Sequence, residues 1–163
     1  MRENSTVNVL AQRYASQAMR DIWSPQAKII AERRLWIAVM RAQSSRGLSI
    51  PNSVISDYEK VVETINLESI DQREKKLRHD VKARIEEFNA LAGHEAIHAG
   101  MTSRDLTENI EAWQVKSSLS LVHNRVIALL SSIGKRAIEY KNLPIAGRSH
   151  NAPAQMTTLR SEE

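Results

Sequence analysis

No cysteine occurs among the 163 residues, which excludes a disulfide framework and a thiolate zinc site and fits a reducing compartment. The first nine residues are polar and lack the basic start and apolar core of a signal peptide, so a cytoplasmic location is expected and the Asn4-Ser5-Thr6 sequon is read as idle. Apolar runs are broken within a few residues by Arg, Ser or Glu, far short of the ~20 needed to cross a bilayer, so no membrane partner is expected. Aromatic residues number seven, and Lys and Arg exceed Asp and Glu only by 23 to 19. Because those charges are interleaved, as in Glu32-Arg33-Arg34, and not gathered into a basic block, nucleic acid is not the expected partner. The small basic excess suits a phosphate-bearing or other anionic ligand.

Strand signals are also scarce. The β-branched residues do not alternate with polar ones, and neither Asn-Gly nor Asp-Gly appears as a hairpin turn, so the chain reads as all-α. Ser24-Pro25 supplies an N-cap and a first-turn proline for a helix over 26–43, with Ile30, Trp36, Ile37, Val39 and Met40 as its apolar stripe. Gly47 and Pro51 close it. Further helices are expected over 53–65, over 67–77 behind an Asn66 cap, and from an Asp80 cap to Ala92, with Gly93 as the stop.

From Ser103 the pattern lengthens. Val115, Leu119, Val122, Val126, Leu129, Ile133, Ala137 and Tyr140 recur at steps of three and four, which predicts one long bundle helix with a Ser103 N-cap and an acidic first turn at Asp105. Gly134, at a cost of about 1 kcal/mol, does not break it, and Pro144 and Gly147 mark its end. The short helices upstream cannot cover so long a stripe, so other helices or other subunits are expected to do so.

His94-Glu95-Ala96-Ile97-His98 matches H-E-x-x-H, a zinc-hydrolase signature when it lies on a helix. Gly93 and Gly100 bracket it here and place it in the break between two helices, so the one-face geometry fails and both histidines are read as loop residues, with no metal assigned. His123, inside the long helix, is read as structural.

Three ordered stretches carry a more specific signal. They are Arg13-Tyr14-Ala15-Ser16; Arg78-His79-Asp80-Val81 followed by the run from His98 through Gly100, Thr102 and Ser103 to Asp105; and Gly147-Arg148-Ser149-His150-Asn151 leading to Ala154-Gln155-Met156-Thr157-Thr158-Leu159. Together they resemble the fumarase and aspartase superfamily, most closely its adenylosuccinate lyase branch, over nearly the whole chain. The resemblance implies a short-helix amino-terminal domain, 1–101, and the start of a central helical bundle, 102–163, in a cytoplasmic homotetramer of purine biosynthesis that needs no cofactor.

The reaction so implied eliminates fumarate from adenylosuccinate to give AMP, and from the succinyl-carboxamide ribotide. It needs a base for a Cβ proton, donors for the carboxylate dianion that develops, and an acid for the departing nitrogen. By resemblance His150 and His79 are the catalytic residues, with His150 the general acid. Arg13, Tyr14 and Arg78 would bind the nucleotide phosphate, and Asp80 and His98 would line the site with His79. Thr102 and Ser103, at a helix amino terminus, would hold a substrate carboxylate, and Ser149 stands beside the acid where the family pattern has threonine. After Leu159 the chain departs from the family by reading Arg160-Ser161-Glu162-Glu163, and the mobile Gly-Ser-Ser loop that carries the family's base does not occur, so these residues alone are expected to be inactive. A non-catalytic helical interaction protein built on the lyase fold is the alternative.

Overall fold

The computed structural model describes residues 8–159; the Asn4-Ser5-Thr6 sequon and the Arg160-Ser161-Glu162-Glu163 departure lie outside them. The chain divides into two compact units, Met1–Ser118 and Leu119–Glu163, with α7 entering both. Seven helices and one two-stranded sheet make up the described residues, and the helices dominate as the sequence predicts.

The first unit holds α1 (Val9–Tyr14), α2 (Gln17–Ile22), α3 (Pro25–Ser45), α4 (Asn52–Lys60), α5 (Leu67–Leu77), α6 (Asp80–Ala92) and the beginning of α7 (Ser103–Tyr140). Local signals start these helices. The Ser24 hydroxyl accepts from the Ala27 N–H at 3.1 Å with Pro25 in the first turn, and Asn66 Oδ1 accepts from the Ser69 N–H at 2.9 Å. Gly93 stops α6 in the left-handed region, at φ 75°. Two caps differ from expectation by one residue. His79, not Asp80, caps α6, while Thr102, not Ser103, caps α7: the Thr102 Oγ1 accepts from the Arg104 N–H, and Asp105 Oδ2 accepts from the Thr102 N–H at 2.8 Å. That exchange is a capping box, in which the third residue of the helix answers the cap.

The core gathers Trp36, Ile37 and Met40 of α3, Tyr58 of α4, Phe88 of α6 and Leu106 of α7. Ile30 and Val39 are only half-buried. Two charged side chains of α3, read in sequence as part of an interleaved charge run, are buried instead. Arg33 Nη2 donates to Glu87 Oε2 of α6 at 2.5 Å, and its Nη1 donates to the carbonyls of Val61, Val62 and Thr64 at 2.9–3.0 Å. Glu87 Oε1 accepts from the Asn66 N–H at 2.9 Å. This network explains why α4 ends at Lys60 and does not continue to Ile65: the carbonyls beyond it are turned toward Arg33, and Asn66 is fixed at the head of α5. Buried polar groups persist only when paired in this way.

The first turns of α7 dock on this body through Leu106, Ile110 and Gln114, spaced four apart on one face. Gln114 Nε2 donates to the Ile22 carbonyl at 2.9 Å, and Trp23 Nε1 donates to the Ser118 hydroxyl at 2.9 Å.

In the second unit, the predicted stripe from Leu119 to Ile133 faces solvent. β1 (Pro144–Ser149) and β2 (Ala152–Thr158) then form an antiparallel hairpin that the sequence reading did not expect. Its turn is His150-Asn151, both left-handed at φ 48° and 65°, the mirror-image conformation a two-residue hairpin requires and one that Asn and His enter more readily than most residues. Gly147 sits where the register slips between Ala146 and Arg148, and a Cβ there would lie 3.1 Å from the Gln155 carbonyl oxygen. No side chain fits that approach without displacement.

Candidate functional site

The sharpest corner of the first unit lies between α5 and α6. Arg78 ends α5 in the left-handed region, at φ 53°, with its N–H donating to the Glu74 carbonyl at 2.7 Å. His79 is extended, and its Nδ1 accepts from the Lys82 N–H at 3.2 Å, closing the amino terminus of α6. Asp80 occupies the first turn, where the helix dipole favours a carboxylate. Arg84, one turn on, donates Nη2 to Asp80 Oδ2 at 3.0 Å. Burial works against ionisation of Asp80, but the Val81 N–H, Arg84 and His79 together hold its carboxyl below the usual range. Arg78, His79 and Asp80 line an open cleft of about 800 Å³ with Asp71, Glu74 and Lys75.

Behind Asp80, Arg84 Nε comes within 2.6 Å of Glu32 Oε2, close in distance but not aligned, so neither Glu32 oxygen receives a directed hydrogen bond. Burial pushes the Glu32 carboxyl above its ordinary value, against the pull of Arg84 and Lys28.

The loop from α6 to α7 carries the H-E-x-x-H residues in a non-helical conformation, so the imidazoles do not share a helix face. His94 Nε2 lies 2.9 Å from Asp57 Oδ2, and the Tyr58 hydroxyl, 2.8 Å from the His94 carbonyl oxygen, accepts from the Ala96 N–H at 3.1 Å. His98, left-handed at φ 66°, accepts from Trp36 Nε1 on its Nδ1 at 3.0 Å. Burial lowers the His98 pKa first; Asp105 raises it, and His79 and Lys82 lower it further. His98 and the α5–α6 corner therefore share one electrostatic neighbourhood, and Thr102 and Ser103 stand at the start of α7 beside Asp105, which also acts on His98. Among the described residues no group of three or more His, Asp or Glu is placed to hold a metal ion.

The other sequence-derived candidates lie elsewhere. Arg13 and Tyr14 close α1, exposed, with the guanidinium 5.4 Å over the Tyr14 ring, and neither lines the corner cleft. Ser149 ends β1 opposite Ala152, and His150 is exposed at the hairpin turn, both in the second unit. His123 is exposed on α7. Two residues that the sequence did not mark as part of a site act here: Arg84 at the corner, whose spacing of four from Asp80 could have flagged it, and Trp36, expected only in an apolar stripe, whose bond to His98, 62 positions away, leaves no local trace.

Against known proteins, this arrangement first identifies a fold. The crystal structure of a β-carboxy-cis,cis-muconate cycloisomerase from Acinetobacter calcoaceticus superimposes with a TM-score of 0.76 over 93% of this chain and 37% of that one, at 19% identity. The family model described as "Lyase" then matches residues 4–162, and the chain belongs to that family. Among curated relatives it is similar to the adenylosuccinate lyase of Saccharomyces cerevisiae, 32% identical over 92% of this chain and 32% of the relative. It is also similar to the N-acetyl-S-(2-succino)cysteine lyase of Enterococcus italicus, 27% identical over 93% of this chain and 34% of the relative. The chain thus spans about a third of the length of these curated relatives. Among the described residues no helix is long and apolar enough to cross a membrane.

Proposed function

We propose that these residues correspond to the amino-terminal portion of an adenylosuccinate lyase and supply the nucleotide-binding and acid side of its site. The observation that carries the reading is the Arg78-His79-Asp80 corner: a cation, an imidazole and a restrained carboxylate at a helix amino terminus, opening on one cleft. Such a terminus, with the Arg78 guanidinium beside it, favours an anionic group through the helix dipole and the added positive charge. In this reading Arg78, with Arg13 and Tyr14, holds the nucleotide phosphate, while His79, Asp80 and His98 line the site. Thr102 and Ser103 hold a substrate carboxylate, with Ser149 beside His150.

The reaction is an elimination. A base takes the Cβ proton, the C–H electron pair becomes the C=C bond of fumarate, and the C–N bond breaks as His150 gives a proton to the nitrogen of the leaving AMP. The carboxylate that gathers charge needs fixed donors. The same chemistry on the succinyl-carboxamide ribotide gives the second purine-pathway step. The Gly-Ser-Ser loop that carries the family's base has no counterpart among these residues, so in this reading they bind without turnover.

The substrate-side domain is taken as 1–101 and the start of the bundle as 102–163, in a cytoplasmic homotetramer whose neighbouring helices cover the stripe of α7. A specific observation favours a second reading as well: so much exposed apolar surface on one helix also suits a non-catalytic interaction protein built on this fold. The names of the relatives share a succino-bearing substrate but differ in the leaving group, and the phosphate-directed arginines favour the nucleotide over the cysteine derivative.

Isothermal titration with AMP and with adenosine tests this. Saturable AMP binding that needs the phosphate and is lost on Arg78→Ala or Arg13→Ala is the expected result. A stable protein complex indifferent to both substitutions, with no AMP binding, would favour the interaction protein instead.

A further inference from the structure

A buried indole N–H must find an acceptor. Trp36 is 1% exposed in the middle of α3, and its Nε1 donates at 3.0 Å to Nδ1 of His98, on the loop ahead of α7. An indole nitrogen can only donate, so Nδ1 must offer its lone pair. A neutral imidazole that accepts on Nδ1 carries its proton on Nε2, whereas an imidazolium has no lone pair left to offer. We infer that Trp36 is a positioning residue that holds His98 in the neutral Nε2–H form and so presents the site with a fixed, uncharged hydrogen-bond donor.

Three further observations support this. The two rings meet edge to face, with centroids 6.0 Å apart and planes at 85°, which fixes the imidazole plane as well as its tautomer. The loop is held from the same helix, because Gln43 Nε2 donates to the Ala99 carbonyl at 2.8 Å. Among the described residues nothing accepts from Nε2. The charged and titratable groups that bear on the ring are Asp105 of α7, which favours a second proton, and His79 at the head of α6 with Lys82 of α6, which oppose it; burial, the largest influence, opposes it too. The bond to Trp36 acts in the same direction as burial and, unlike burial, also chooses the nitrogen.

Trp36 also packs on Phe88, at 6.3 Å between centroids, so the test must separate packing from hydrogen bonding. Trp36→Phe retains an aromatic ring and deletes the N–H. The readout is the long-range proton–nitrogen correlation spectrum of histidine-labelled full chain, with His98 assigned by comparison with His98→Gln. In the unsubstituted chain at neutral pH, His98 is expected as the neutral Nε2–H tautomer. In W36F the tautomer ratio should move about fivefold toward Nδ1–H, the worth of one neutral hydrogen bond, and proton affinity should rise by a similar factor. An Nδ1–H tautomer or an imidazolium in the unsubstituted chain overturns the inference, as does a W36F spectrum with tautomer and titration unmoved. If W36F does not fold, the unsubstituted spectrum decides.

The inference rests on the lyase reading for what the donor serves, and AMP added to the same samples keeps the two apart. A chain that ignores AMP yet shows the Nε2–H form sinks the lyase reading and leaves the role of Trp36 intact. A chain that binds AMP with His98 in another form sinks the role of Trp36 alone.

Discussion

Leu106 and Ile110, in the first turns of α7, are buried, whereas Leu119, Val126 and Leu130 of the same helix are each more than half exposed. Leu106 joins the core cluster of Trp36, Phe88 and their neighbours, while the large apolar side chains of α7 from Leu119 to Ile133 are left exposed. The exposed stretch is the more apolar of the two, so the difference is one of partners, not of hydrophobicity. A helix of 38 residues keeps its backbone bonds regardless, but its apolar side chains gain from burial only where something covers them. The body up to Ser118 has the buried core of a folded domain, and α7 after it presents a row of exposed apolar side chains.

The largest effect expected lies within the body. Glu87→Ala leaves the buried Arg33 guanidinium without its carboxylate and should cost about 3–5 kcal/mol in urea unfolding. The neighbouring pair, Arg34 with Glu63, is exposed at 64% and 70%, and Arg34→Ala should cost about 0–1 kcal/mol. Equal losses at Arg33→Ala and Arg34→Ala would show that the buried network is not what holds α3, α4 and α6 together.

A smaller loss tests the loop that carries His98. Tyr58→Phe removes the hydroxyl that meets Asn89 Oδ1 at 2.6 Å and accepts from Ala96, and leaves those half-buried groups unpaired at about 1–2 kcal/mol. Unfolding monitored by tryptophan fluorescence measures it.

The pH dependence is smaller still. His98 is held below its ordinary value near 6.5, so as pH falls through 6.5 the unfolded chain takes up a proton that the folded chain refuses. Stability should decline in that window and level off below the folded value. Trp36→Phe, if folded, should flatten the slope; a slope of opposite sign would contradict the neutral form of His98.

Least change in stability is expected from the exposed stripe. Leu119→Glu with Val126→Glu should alter unfolding by no more than about 0.5 kcal/mol, yet reduce self-association seen by light scattering. An unsubstituted chain that stays monomeric at high concentration would remove the interface from the account.

What the sequence made legible follows from range. Ser24-Pro25, Asn66 and Gly93 act within one turn of themselves, so the helices they begin or end were predicted to within a few residues. The Arg33 network joins residues up to 54 positions apart, and it is what shortened α4 against expectation. The hairpin was missed because its turn is His150-Asn151, a pair that reaches the required conformation without the usual glycine. At the site, Arg78, His79 and Asp80 are adjacent in sequence and stay adjacent in space, which is why a motif could point to them. Trp36 entered only through the fold, since no spacing rule connects it to His98.

In the reading proposed above, the corner at Arg78-His79-Asp80, with His98, is a nucleotide site. Mapping amide and imidazole resonances of the full chain during an AMP titration tests it most directly. Saturable shifts are expected at residues 13–14, 78–80, 98 and 102–103, abolished by Arg78→Ala and untouched by Arg34→Ala; shifts scattered over the surface, or none at millimolar AMP, would show that no nucleotide site is there.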